Sequence, residues 1–123
     1  MMRNPNASHI DFSDLQGVIP ENPKWLPSDI DMIMERKGKF LLCEWKRQCE
    51  EFGGGQKIML KSFAKHPDFT VLIVRGDTDN GMDITEFWLL EGDKLKPKGK
   101  STDDFKSFIL NWYREVDDKD KSF

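Results

Sequence analysis

Asp31, Glu44 and Lys46 are the residues of this 123-residue chain whose types and spacing best suit chemistry. They lie within Pro27-Ser-Asp29-Ile-Asp31-Met-Ile-Met-Glu35-Arg-Lys-Gly38-Lys-Phe-Leu-Leu-Cys-Glu44-Trp-Lys46, where two β-prone apolar runs flank a short polar break. A hairpin turning at Lys37 and Gly38 makes partner numbers add to 75, so that Asp31 faces Glu44, Asp29 faces Lys46 and Ile33 faces Leu42. Strand alternation puts these six side chains on one face and sends Met32, Met34, Leu41 and Cys43 to the other, toward a core. Carboxylates directly opposite one another would sit about 4.5–5.5 Å apart and repel. A bound cation, the Lys46 amine, a raised pKa on one acid or a different register would each relieve that repulsion. Two carboxylates and an amine at one sheet edge form the donor set that a divalent cation and a phosphodiester require.

Acid-x-Lys is a cheap pattern in a chain that is 33% charged. It also occurs as Glu35-Arg-Lys37, Asp104-Phe-Lys106 and Asp117-Asp-Lys119, which fall in the turn, a C-terminal helix and a polar tail. Glu44-Trp45-Lys46 alone closes an apolar strand run, Phe40-Leu-Leu-Cys43, and alone has an Asp across a plausible hairpin. The bland alternative is a polar sheet edge with an ordinary salt bridge.

An Asp near the end of one strand, a hairpin, Glu-x-Lys on the next and a following helix with a Gln resemble the PD-(D/E)XK nuclease superfamily. Here the matching residues are Asp31, Glu44-Trp45-Lys46, and Gln56 within Gly53-Gly-Gly-Gln56-Lys-Ile-Met-Leu. The compact layout is most similar to the virus-type replication-repair nuclease and Holliday-junction resolvase branches, over roughly residues 27–75. The resemblance implies an α/β fold with a restriction-endonuclease-like core, a mixed central sheet flanked by helices. It implies Mg²⁺ or Mn²⁺ held by Asp31, Glu44 and the Trp45 backbone carbonyl, with Asp31, Glu44, Lys46 and Gln56 as the catalytic set. The activity it implies is endonucleolytic hydrolysis of DNA phosphodiesters, selective for structures such as junctions or flaps, and the resolvase branch implies a homodimer. The pattern departs from the superfamily in two places. Pro27 does not directly precede Asp31, which leaves Asp29 as a rival ligand, and the N-terminal acid-bearing helix is represented only by Asp11, Asp14 or Glu21.

These residues need a scaffold, and 123 residues with 37% hydrophobic content suit one domain, residues 1–123, around a single core. No run of about 18 apolar residues or apolar N-terminal stretch appears, so neither a membrane span nor a signal peptide is expected. The expected location is cytoplasmic, the host cytoplasm if a phage or mobile element encodes the chain. Cys43 and Cys49 do not form a CxxC and lack histidine partners for zinc; Cys43 reads as core and Cys49 as a free thiol. His9 and His66 are incidental, His66 closing a helix before Pro67.

A net charge of −3 argues against a general nucleic-acid binder, but the distribution matters more than the sum. Lys57, Lys61 and Lys65 recur every four residues on one helix face and are the candidate phosphate contacts. A solvated helix surface is the alternative. The alternating lysines of Lys94-Leu-Lys-Pro-Lys-Gly-Lys100 read either as a second basic stripe or as protection of an edge strand.

The periodicities predict strands at 29–35 and 40–46, then a helix from Lys57 to His66 that buries Ile58, Met59, Leu60 and Phe63. A central strand follows at Thr70–Val74, then a strand from Asp83 to Leu90 with an edge strand at Lys94–Lys98. Ser101 or Thr102 caps a last helix through Phe105, Phe108, Ile109 and Trp112. Residues 1–26 read as irregular and 117–123 as a flexible tail. Two other functional classes fit the same residues. One is a catalytically inactive nuclease-fold module that binds or inhibits a partner, and the other a structural α/β protein with Asp29–Lys46 as a surface ion pair.

Overall fold

The computed structural model describes residues 11–46 and 54–121, the side chains of 54–57 and 119–121 excepted. Strands β1 (Met32–Arg36), β2 (Lys39–Lys46), β3 (Phe69–Asp77), β4 (Asp83–Glu91) and β5 (Lys94–Gly99) form one sheet in chain order. Helix α1 (Gly54–Ala64) lies between β2 and β3, and helix α2 (Thr102–Lys121) follows β5. The β2–β3 pair is parallel and the other three are antiparallel. That difference follows from the connections, since a helical crossover returns the chain to its starting end whereas a tight turn reverses it. The fold is therefore α/β, a mixed five-stranded sheet between two helices.

The hairpin turns where the sequence predicts. Lys37 (φ 53°) and Gly38 (φ 82°) both take the left-handed backbone of a two-residue turn, and the Gly38 amide donates to Glu35 Oε2 at 2.9 Å. From Met32 to Arg36 the register is the predicted one, Met32 pairing with Cys43, Ile33 with Leu42 and Arg36 with Lys39, but the predicted Asp31–Glu44 and Asp29–Lys46 pairs do not form. Strand β1 starts later than expected, at Met32, so Asp29, Ile30 and Asp31 precede the ladder rather than belonging to it.

Alternation along β2 and β3 splits the core into two layers. Leu41, Cys43, Leu72 and Val74 meet Phe105, Trp112 and Val116 of α2, whereas Leu42, Val71 and Ile73 meet Leu60, Met59 and Phe63 of α1. Burial pushes the Cys43 thiol up to about 12, so it acts as a small apolar residue; Cys49 lies outside the described residues. Trp45 alternates onto the α2 face and meets the Phe105 ring edge-on at 5.7 Å.

Three further expectations need correction. Met34, expected in the core, is exposed, because β1 is an edge strand. Ile58 is 69% exposed, because at 100° per residue it lies nearly opposite the Met59–Leu60–Phe63 stripe and shares the outer face with Lys61 and Lys65. Helix α2 runs to Lys121 instead of giving way to a tail at Asp117. Asp117 holds the helix to the hairpin turn, with its Oδ1 at 2.7 Å from Arg36 and 3.0 Å from Lys37. At the other end of α2, Ser101 Oγ accepts the Asp104 amide at 3.1 Å while Asp104 Oδ2 accepts the Lys100 amide at 3.0 Å, a reciprocal cap. Residues 11–26 are irregular apart from a 3-10 turn at Ser13–Leu15.

Candidate functional site

The α1 face of β2 carries Leu42, then Glu44, then Lys46. Glu44 is 4% exposed and Lys46 6% exposed, and they are the only charged side chains buried among the described residues. Taking a carboxylate and an ammonium out of water costs several kcal/mol each before any mutual attraction repays it. A sheet that needed only packing would hold apolar side chains there, as it does at Leu42, Val71 and Ile73. Buried ionisable groups of this kind concentrate at functional sites.

Asp31 reaches the β2 backbone beside Glu44 from the neighbouring chain segment. Its Oδ2 accepts the Trp45 backbone amide at 2.7 Å. The two-residue turn makes 36 and 39 a hydrogen-bonded pair, and alternate pairs from there would give the Trp45 amide to the carbonyl of residue 30. Because β1 begins only at Met32, the Asp31 carboxylate serves as the acceptor instead. The carboxylate thus rests on the peptide that links Glu44 to Trp45. Asp29 and Asp31 are both exposed, but Asp29 lies further outside the ladder, and of the two rival acids it is Asp31 that hydrogen-bonds to β2.

The site continues across the parallel pair. Lys46 registers with Arg75 on β3, and Arg75 with Glu86 on β4. Arg75 continues the Val71–Ile73 row, and Glu86 precedes Trp88 and Leu90 in alternation, so both belong to the α1 face. Each is half-buried. Sequence reasoning missed both because it ended β3 at its last apolar residue, Val74, whereas the strand runs to Asp77. The signal that finds them is the register: extending β3 by one residue sets an arginine beside Lys46.

No family model, curated protein or solved structure matches the chain. The chemistry of the site therefore rests on its own geometry.

The remaining predicted residues fall around α1. Gln56 lies in its first turn, and the side chains of Gln56 and Lys57 are outside the described residues. Lys61 is occupied by Asp93 of the β4–β5 turn, Nζ to Oδ1 at 3.1 Å, and Lys65 is exposed. The structure thus places Glu44 and Lys46 on one strand face with Asp31 bonded to the β2 backbone beside Glu44, and leaves Lys61 and Lys65 on the outer helix face. Lys96 of the edge strand β5 pairs with Glu91 at 3.2 Å.

Among the described residues, no group of three or more His, Cys, Asp or Glu is arranged to hold a metal. The set at issue is smaller, two carboxylates and a peptide carbonyl. Its donors are all hard oxygens, and Cys43, the soft donor nearest in sequence, packs in the layer on the opposite face. That chemistry fits Mg²⁺ or Mn²⁺, which take oxygen ligands and few protein carboxylates. Among the described residues, no helix is long and apolar enough to cross a membrane.

Proposed function

We propose that the protein is a Mg²⁺- or Mn²⁺-dependent nuclease that hydrolyses DNA phosphodiester bonds, with a restriction-endonuclease-like core. The observation that carries this reading is the burial of Glu44 and Lys46 on one strand face with the Asp31 carboxylate docked on the intervening peptide. In this reading Asp31, Glu44 and the Trp45 carbonyl hold the ion. When bound, the ion lowers the pKa of a water and neutralises phosphate charge. Lys46 orients the attacking water and stabilises the negative charge that develops on the phosphate oxygens. Its burial strengthens that effect, because a charge acts over a longer range in a medium less polar than water. Gln56 holds the water or a non-bridging phosphate oxygen, and Lys57, Lys61 and Lys65 steer the nucleic-acid backbone. For Lys61 this requires exchanging Asp93 for a phosphate, an inexpensive step because Asp93 is 85% exposed. Junctions or flaps are the proposed substrates, a homodimer the proposed state and the cytoplasm the proposed location.

The test is cleavage of linear duplex, single-stranded, flap and four-way-junction DNA with Mg²⁺, with Mn²⁺ and with chelator. The wild type should cut at least one of these only with metal. Glu44→Gln and Lys46→Met should each lose about 10²–10⁴-fold, the range for removing a positioned acid, base or electrostatic group. Unchanged cleavage in both variants removes the site from consideration. Metal-independent DNA binding without cleavage would instead select a catalytically inactive binding module.

A further inference from the structure

We infer that Arg75 is a second substrate-binding cation, gripping the non-bridging oxygens of the phosphate beside Lys46; the inference rests on the nuclease reading. Lys46 and Arg75 are register partners across the parallel β2–β3 pair, so their strands are about 4.8 Å apart and both side chains leave the α1 face. Two cations placed side by side on a sheet destabilise it. Opposite charges border the row, Glu44 on the same strand as Lys46 and Glu86 across from Arg75. Such a row suits an anion arriving between the two cations. It also lies at the carboxyl ends of parallel strands, where open α/β sheets bind their ligands.

The backbone beneath Arg75 is built to aim it. The β3–β4 register shifts between Arg75 and Gly76, so that Arg75 pairs with Glu86 but Gly76 pairs with Ile84, leaving Thr85 as the extra residue of a bulge. Thr85 Oγ1 donates to the Arg75 carbonyl at 3.3 Å. Gly76 permits this, because a Cβ there would overlap the Asp83 carbonyl oxygen and come within 2.9 Å of the Ile84 Cα. Bulges of this kind re-aim side chains and occur beside active sites. The two cations also divide the work chemically. Arginine presents a planar fork that takes two phosphate oxygens at once, whereas lysine is a point charge suited to the attacking water. Arg75 is half-buried, so part of its side chain meets solvent, while Lys46 is nearly enclosed.

The experiment measures binding of fluorescein-labelled duplex and four-way-junction DNA in Ca²⁺ across a salt series, alongside cleavage in Mg²⁺. Arg75→Gln should bind about tenfold more weakly, with the slope of log K against log salt reduced by roughly 0.9, the loss of one phosphate contact. Arg75→Lys should keep the wild-type slope but cleave about tenfold more slowly, because the charge survives and the fork does not. Wild-type affinity and slope in Arg75→Gln, with the wild type cutting normally, overturn the inference and leave the nuclease reading standing. A wild type that neither binds nor cuts DNA overturns both. Should Arg75→Gln fail to fold, Arg75→Lys decides: slowed cleavage supports the assignment and wild-type cleavage overturns it.

Discussion

Replacing both buried charges at once, Glu44→Leu with Lys46→Met, should abolish cleavage and leave the protein at least as stable as before. Glu44 is 4% exposed and Lys46 6% exposed, in a sheet whose other buried residues are apolar. Exchanging buried charges for apolar groups of similar volume is often neutral or stabilising, by up to about 1–4 kcal/mol. For a domain of this length, 1 kcal/mol moves the melting temperature by roughly 3–5 °C, so the double variant should melt between the wild-type temperature and about 20 °C above it. Each single replacement keeps one buried charge and removes the opposite charge two residues along the same strand face, so it should be less stable than the double variant. The four proteins form a double-mutant cycle, whose coupling should exceed the few tenths of a kcal/mol expected of independent sites. Urea denaturation with a check for constant m-value reads the stabilities, and metal-dependent DNA cleavage reads the activity. A double variant more than about 1 kcal/mol less stable than the wild type would refute the reasoning, since Glu44 and Lys46 would then be present to hold the sheet together. A double variant that still cleaves DNA would refute it as directly.

Three further outcomes test the scaffold. Gly76→Ala should destabilise by at least about 2 kcal/mol in denaturant melts, because β4 backbone occupies the space a Cβ needs and main chain cannot move aside cheaply. Ser101→Ala should lower stability by about 1 kcal/mol, the usual cost of removing an N-cap, with far-UV circular dichroism showing fraying of α2. Hydrogen bonds from Arg36, then from Lys37, hold the Asp117 carboxyl down at about 2. A depressed carboxyl stabilises the fold above its ordinary range and loses that contribution as pH falls from about 4 toward 2. Asp117→Asn should therefore flatten the stability decline between those pH values, and an unchanged acid profile would show that this contact does not anchor α2.

The parts of this fold legible in the sequence are those set by local rules. Lys37-Gly38 between two apolar runs fixes a two-residue turn, and a two-residue turn fixes the whole β1–β2 register, which is why Ile33 meets Leu42 as counted. The continuous apolar run through Val74 identifies β3 as central, but the same rule hides Arg75, since polarity at a strand end reads as a loop until its partner Lys46 is known. Ile58 shows the limit of residue type: an isoleucine in a helix reads as core until its angle relative to Met59 and Leu60 is drawn. The continuation of α2 beyond Val116 depends on Arg36 and Lys37, some eighty residues upstream in sequence, and no local signal reports it. At the site, the strand pattern predicts that Glu44 and Lys46 share a face, but their depth of burial comes from tertiary packing. The role of Asp31 as the backbone acceptor for Trp45 appears only once β1 is seen to begin at Met32.

The account stands on oxygen atoms of Asp31, Glu44 and the Trp45 carbonyl converging on a divalent ion. Crystals soaked in Mn²⁺ and measured at a wavelength where manganese scatters anomalously test this without knowledge of the substrate. The account predicts an anomalous peak about 2.2 Å from the Glu44 carboxylate, with Asp31 and the Trp45 carbonyl also in its coordination sphere, as hard-cation ligation requires. A saturating soak that leaves no peak on these oxygens, or places manganese only elsewhere on the surface, would contradict it.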